Sequence, residues 1–267
     1  MITSPYIAPV AYPVSLVEAK LHLRVDNTTD DGLITSLIGA ATEWCEKYEG
    51  HSYMMQSYKV YLDGFYNVVY LPHAPLVSVS SVQYYDGAGD LQTLATSYYT
   101  VDTDSTPGRV YLAYNQSWPS TYLIPKSVII TYTAGYATTF TAVAATNVCT
   151  VGNAVFANGD TVRVVTDQSD LPSPLAVGTN YYVGDVSGST LKLYTDSGLA
   201  SVVDILDTGT PTHMIGFADR GLVPSRAIAA IKLLIGHLYE HREQASEVTL
   251  QEIPFAVANL LNERTFA

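Results

Sequence analysis

In "GHLYEHREQ", Gly236 to Gln244, two histidines stand among acids and an arginine. His237 and His241 stand four apart, so on a helix they share one face. Two neutral imidazoles placed that way can hold zinc if a third ligand arrives from elsewhere in the chain. The run is H-x-x-x-H, without the Glu directly after the first His that a metalloprotease helix uses as its base. The remaining histidines, His22, His51, His73 and His213, lie in unrelated segments and form no second pair. Glu240 and Arg242 give the stretch a plainer reading as the solvated end of a structural helix. That reading is the one the spacing favours.

Other chemistry finds less support. "GDVSGST" and "TAGYATT" supply hydroxyls, but neither is the G-x-S-x-G elbow that lifts a nucleophile between strand and helix. Asp102 and Asp104 in "TVDTDSTPG" are close enough for an acid pair or a calcium loop. They lack the twelve-residue loop and closing Glu of an EF-hand, and aspartates before Pro107 and Gly108 suit a turn. No phosphate-cradling glycine loop of the P-loop or dinucleotide type occurs. Cys45 and Cys149 make neither a disulfide framework nor a thiolate zinc site and read as reduced, buried thiols. No catalytic residue, metal or cofactor is assigned.

The elements that would position these residues alternate in type along the chain. After a proline-punctuated arm, "SLVEAKLHLRV" opens with Ser15 and, three residues on, Glu18, the spacing of a capping box. "LITSLIGAATEWCEKYEG" keeps Leu33, Leu37, Ala41, Cys45 and Tyr48 near i, i+4 spacing, widened by Ile34, Ile38 and Trp44. Gly50 is placed to end that helix. The two helices predict an αα-hairpin. From Met54 to Tyr136, runs such as "YKVYL", "SVSSVQYY" and "SVIITYT" predict a small, mostly antiparallel β unit with a hairpin turn at Asp86–Asp90. Residues 138–216 have another texture, poor in Lys and Arg and rich in Asp, with strand-length runs between Gly- and Asn-rich turns. They predict an all-β, sandwich-like module. Helix returns at "VPSRAIAAIKLLIGHLYEHRE", with Pro224 in a first-turn position, and again near Pro254.

Composition bounds the function class. The chain has 267 residues, 48% of them hydrophobic and only 14% charged, with 21 tyrosines. A net charge of −12 predicts a surface that repels DNA, RNA and anionic membranes, which argues against binding through a basic face. The start, "MITSPYIAPVAYP", has no basic region and is broken by prolines, so no secretory signal is read there. No apolar run approaches a membrane span. The expectation is a soluble protein made in a cytoplasm, which the resemblance below narrows to that of a host bacterium.

Several pieces together resemble one family. "VSLVEAKLHLRVDNTTDDGLITSLIGAATEWCEKYEG" is similar to the start of the head–tail connector (adaptor) proteins of long-tailed bacteriophages. "LPHAPLVSVSSVQYYDGAGDLQTL" and "QSWPS…SVIITYTAGY" resemble the family's β part; "VPSRAIAAIKLLIGHLYEHRE" and "IPFAVANLLNERTF" resemble its closing helix and tail. The resemblance spans roughly residues 13–137 and 222–266, and the module between departs from it.

That resemblance implies an α+β chain: an N-terminal αα-hairpin and C-terminal helices packed as a small bundle with an antiparallel β unit, interrupted by the all-β module. The domain reading is 1–137 and 217–267 for the connector core and 138–216 for the insertion. The implied role is non-enzymatic, that of a virion protein of the neck. Its identical copies, twelve in the implied ring, would sit beneath the portal protein, meet a stopper or tail-completion protein, and let DNA pass through the channel without sequence-specific binding or membrane contact. His237, Tyr239, Glu240 and Arg242 at the end of the closing helix are the expected contacts with a neighbouring subunit. Phe255, Leu260, Leu261 and Phe266 belong to a segment too short to bury them well alone, which suits docking on the portal or a neighbour. Two competing readings remain open at this point. One is host-surface or carbohydrate binding through the inserted module; the other is a metal-dependent enzyme built on His237.

Overall fold

Ser15 caps the first helix as its spacing to Glu18 demands. In a computed structural model, which describes residues 1–9, 11–166, 170–209, 213–241 and 255–262, the Glu18 amide donates to Ser15 Oγ at 3.2 Å. The helix that follows is α1 (Leu16–Leu23), closed by Arg24 in the left-handed region. The Glu18 carboxylate does not complete the box. It pairs with Lys232 Nζ at 2.5 Å and ties α1 to α3 (Ser225–Glu240).

The second helix is α2 (Asp31–Glu49). Its buried line runs through Ile34, Ile38, Ala41 and Cys45, while Leu33 and Tyr48 at the flanks of the expected stripe are exposed. The apolar stripe is wider than the face that can be covered, and its inner residues win the buried positions. Tyr48 keeps its ring against Trp44 instead, with centroids 5.1 Å apart. Against this line packs α3, through Ala227, Ala230, Ile231, Leu234 and Ile235. Full burial of an isoleucine contributes roughly 1.5–3 kcal/mol, so Ile231 and Ile235 alone outweigh any surface ion pair here. The last helix, α4 (Phe255–Leu261), lies against α3 and α2, with Val257 and Leu261 buried.

The chain divides into two compact units. The first comprises residues 1–9 and 50–136. Its five-stranded antiparallel sheet has the order β1 (Ile2–Ile7), β2 (Gln56–Leu62), β8 (Val128–Ala134), β4 (Leu76–Tyr85), β5 (Leu91–Thr93). A three-stranded sheet, β3 (Val68–Tyr70), β7 (Arg109–Leu112) and β6 (Tyr99–Asp102), completes it. Val60, Leu71, Leu76, Val110, Ile130 and Tyr132 belong to one buried cluster within the unit. The proline-punctuated arm proves to contain β1. Pro5 is tolerated because β1 is an edge strand whose outer side needs no ladder donor.

The second unit comprises residues 10–49 and 137–267, and so joins the helices to the all-β module. That module is a closed antiparallel barrel. Its strands are β9 (Ala137–Val143), β10 (Val148–Val151), β11 (Thr161–Thr166), β12 (Asn180–Ser187), β13 (Thr190–Tyr194) and β14 (His213–Phe217), in the order β10, β13, β12, β11, β14, β9. Closure comes from β9, which pairs with β10 on one side and β14 on the other, leaving no free edge. Phe140, Val162, Val164, Val183, Leu191, Leu193 and Ile215 are buried among its strands. A sandwich and a small barrel carry the same alternating pattern, so the sandwich-like expectation sharpens here to a barrel. Among the described residues no helix is long and apolar enough to cross a membrane.

Candidate subunit and partner surfaces

His237 lies in the last turn of α3 and His241 is its C-cap. Their rings are neighbours, with centroids 4.6 Å apart, yet His241 Nδ1 faces the His237 carbonyl at 3.0 Å rather than a shared centre. The His241 amide also donates to that carbonyl, at 3.1 Å. Both groups on His241 thus close the helix end, where carbonyls lack partners. Among the described residues no group of three His, Cys, Asp or Glu side chains could hold a metal ion.

Tyr239 is turned into the protein. Its hydroxyl donates to Asp30 Oδ2 at 2.5 Å, at the residue preceding α2. Glu240 is exposed. Arg242 and Phe266 lie outside the described residues, and of Phe255 only its place at the start of α4 is described. Leu261 is buried and Leu260 half-buried. The structure therefore brings Tyr239 and Leu261 into intrachain packing and leaves Glu240 on the surface.

Two surfaces escape the sequence reading. One is the segment between β7 and β8, where Tyr114 is 99% exposed and Leu123 96% exposed. These are not ends of a loose loop. Trp118 stacks on Phe65 at 4.6 Å with the planes 2° apart. The Tyr122 amide donates to the Tyr85 carbonyl at 2.9 Å, and the Lys126 amide to Asp63 Oδ1 at 2.8 Å. The other is a cavity of about 190 Å³ in the second unit, lined by residues that include Pro13, Val165, Met214, Val223 and Ile228. Val165 and Met214 are register partners on β11 and β14, adjacent to the buried Val164 and Ile215. Strand alternation therefore turns them to the outside of the barrel.

The two aspartates weighed for calcium are turn formers. Asp102 accepts from Ser105 Oγ at 2.7 Å, the Ser105 and Asp104 amides, and Arg109 Nε at 2.8 Å. These donors, Ser105 first and Arg109 next, lower its pKa to about 2. Burial pushes the Cys149 and Cys45 thiols up to about 12, helped at Cys45 by the nearby Glu49 and Glu46. Neither thiol is a nucleophile at neutral pH.

Most described cations are engaged within the chain. Lys20 pairs with Asp31 at 2.6 Å, Lys192 with Asp185 at 3.0 Å and Arg226 with Glu49 at 3.6 Å. Lys59, Lys126 and Arg220 lie over the rings of Tyr6, Tyr61 and Phe217. A phosphate backbone would have to compete with these contacts on a chain of net charge −12.

Comparison with known proteins matches residues 13–87 to the family model of the phage gp6-like head-tail connector protein. No curated protein sequence matches the chain. Among solved structures it resembles a chain of the neck of an empty gene transfer agent (GTA) particle computed with C6 symmetry, at 16% identity and a TM-score of 0.55. It also resembles a chain of the neck of the native GTA particle computed with C12 symmetry, at 15% identity and 0.54, and one of the native GTA virion, at 16% and 0.54. Each of these alignments covers 98% of this chain and 93% of the other, so the shared fold includes the barrel. Residues 13–87 are thus similar to the phage gp6-like head–tail connectors, and nearly the whole chain shares the fold of a chain found in a particle neck.

Proposed function

We propose that this protein is a structural, non-enzymatic component of a phage-type virion neck. Its copies form a ring, twelve to the turn, that lies between the portal protein and the stopper or tail-completion protein and continues the DNA channel. The observation that carries the reading is the coincidence of the connector match at residues 13–87 with a fold shared over 98% of the chain with neck proteins. A positional role also fits the chemistry. The described residues offer no metal cluster, both cysteines are buried, and the cations are largely engaged by the chain itself. A surface of this kind lets DNA slide past without strong counterion-releasing contacts.

The C-terminal segment has a place in the same reading. Residues 253–267 reach the portal or a neighbouring subunit, and their deletion abolishes attachment to portal-bearing heads. The neck role itself is tested by removing the protein from cells that produce particles. Filled heads and free tails should then accumulate unjoined. Joined, infectious particles in its absence would overturn the reading.

A further inference from the structure

A cyclic ring of identical chains needs two different surfaces on each copy, because one patch must meet another as the rotation proceeds. Resting on the ring reading above, we infer that the β7–β8 segment of one copy inserts Leu123 into the cavity beside β11, β14 and α3 of the next copy. The projecting surface belongs to the first compact unit and the receiving surface to the second, so the contact is heterologous by construction.

Three observations carry this. The first is the cost of exposing Leu123. A leucine 96% exposed buries almost none of its apolar area against the described residues, and a partner surface would recover that area. The second is the rigidity of its support. Trp118 stacked on Phe65, the backbone bonds from Tyr122 and Lys126, and the prolines at 119 and 125 hold the segment before any partner arrives. Such preorganisation lowers the ordering cost of association. The third is the match in size and character of the receiving site. An apolar cavity of about 150 Å³ takes one benzene-sized group; the site here, at about 190 Å³, has room for one leucine side chain among Pro13, Val165, Met214, Val223 and Ile228, with Glu18 and Thr166 as its polar lining. A second copy is the occupant chosen because the same chain supplies both a projection and a largely apolar recess, and among the described residues neither is covered.

The test is site-directed disulfide formation between copies. Leu123→Cys and Val223→Cys are purified separately and mixed under mild oxidation. The native Cys45 and Cys149, buried, do not compete. Negative-stain images of the wild type and thermal unfolding of each variant accompany the experiment. The expected result is a covalent pair only when both variants are present, and a covalent ladder when one chain carries both substitutions. Leu123→Asp, at a site where folding does not depend on the side chain, should raise the concentration needed for ring assembly about tenfold or more. Wild-type rings together with no cross-link and no effect of Leu123→Asp would overturn this contact while leaving the ring intact. A wild type that forms no ring under any condition would overturn the ring reading and this contact with it.

Discussion

The hydroxyl of Tyr239 at the end of α3 donates to the carboxylate of Asp30 at the start of α2, across 209 residues of sequence and 2.5 Å of space. A hydrogen bond to a charged group holds the two helices in register at one end, while the Glu18–Lys232 pair ties α1 to α3. Tyr239 thus acts first as an internal tie, whatever surface its neighbours offer to another subunit. Tyr239→Phe keeps the ring and removes the donor. It should cost about 1–2 kcal/mol in urea unfolding with an unchanged slope. An unchanged midpoint would mean that water replaces the tyrosine without loss.

The Asp102 turn makes a pH prediction. Its pKa in the folded chain is about 2, below the ordinary 3.8, so the group favours the fold when ionised. The contribution is fully present above about pH 4 and is lost as pH falls toward about 2. Asp102→Asn should flatten the dependence of melting temperature on pH in that window and leave other acids to act as before. A wild-type-like slope in the variant would remove Asp102 from the account.

Gly135 is a backbone constraint rather than a site. Its φ is +134°, and a Cβ there would come within 2.5–2.6 Å of the Met54 carbonyl and the Met55 Cα. Backbone atoms cannot step aside, so Gly135→Ala should cost about 3 kcal/mol or more, or prevent folding of the first unit. Circular dichroism melts and yield of soluble protein measure this. A variant as stable as the wild type would contradict the close approach.

Both cysteines should resist a water-soluble thiol reagent at neutral pH in the folded protein, since each is buried and its pKa is pushed up to about 12. In denaturant two thiols per chain should react at once. Rapid labelling of the native protein would show that one unit opens readily.

How far the sequence discloses all this depends on the kind of signal. Local chemistry is legible. Ser15 caps α1, and Gly50 follows α2 with φ +71°. The turn from Asp86 to Asp90 forms as its residues suggest, with Asp86 accepting from the Ala88 and Asp90 amides. The tight turn in "GDVSGST" joins β12 to β13 with Ser187 opposite Thr190 and Gly188 at φ +60°. The connector resemblance was legible too, because it rests on a long run of residues rather than on one motif.

What escapes is settled by contacts distant in sequence. Pro5 conceals an edge strand because only the position of β1 in the sheet makes a missing donor harmless. Barrel closure depends on β9 meeting β14, more than seventy residues away by the residue numbers of that pair. Leu123 and Tyr114 gave no signal, since a hydrophobic residue in a loop reads the same whether it is covered or bare. Among the residues expected to face a neighbour, Tyr239 continues the i, i+4 line of Ile231 and Ile235, but its partner Asp30 could be found only in three dimensions.

If this chain builds the ring of a particle neck, electron microscopy of the purified wild-type protein, with class averages viewed down the symmetry axis, should show closed rings with an open centre and twelve copies per turn. Monomers at every concentration, or closed particles without an opening, would contradict it.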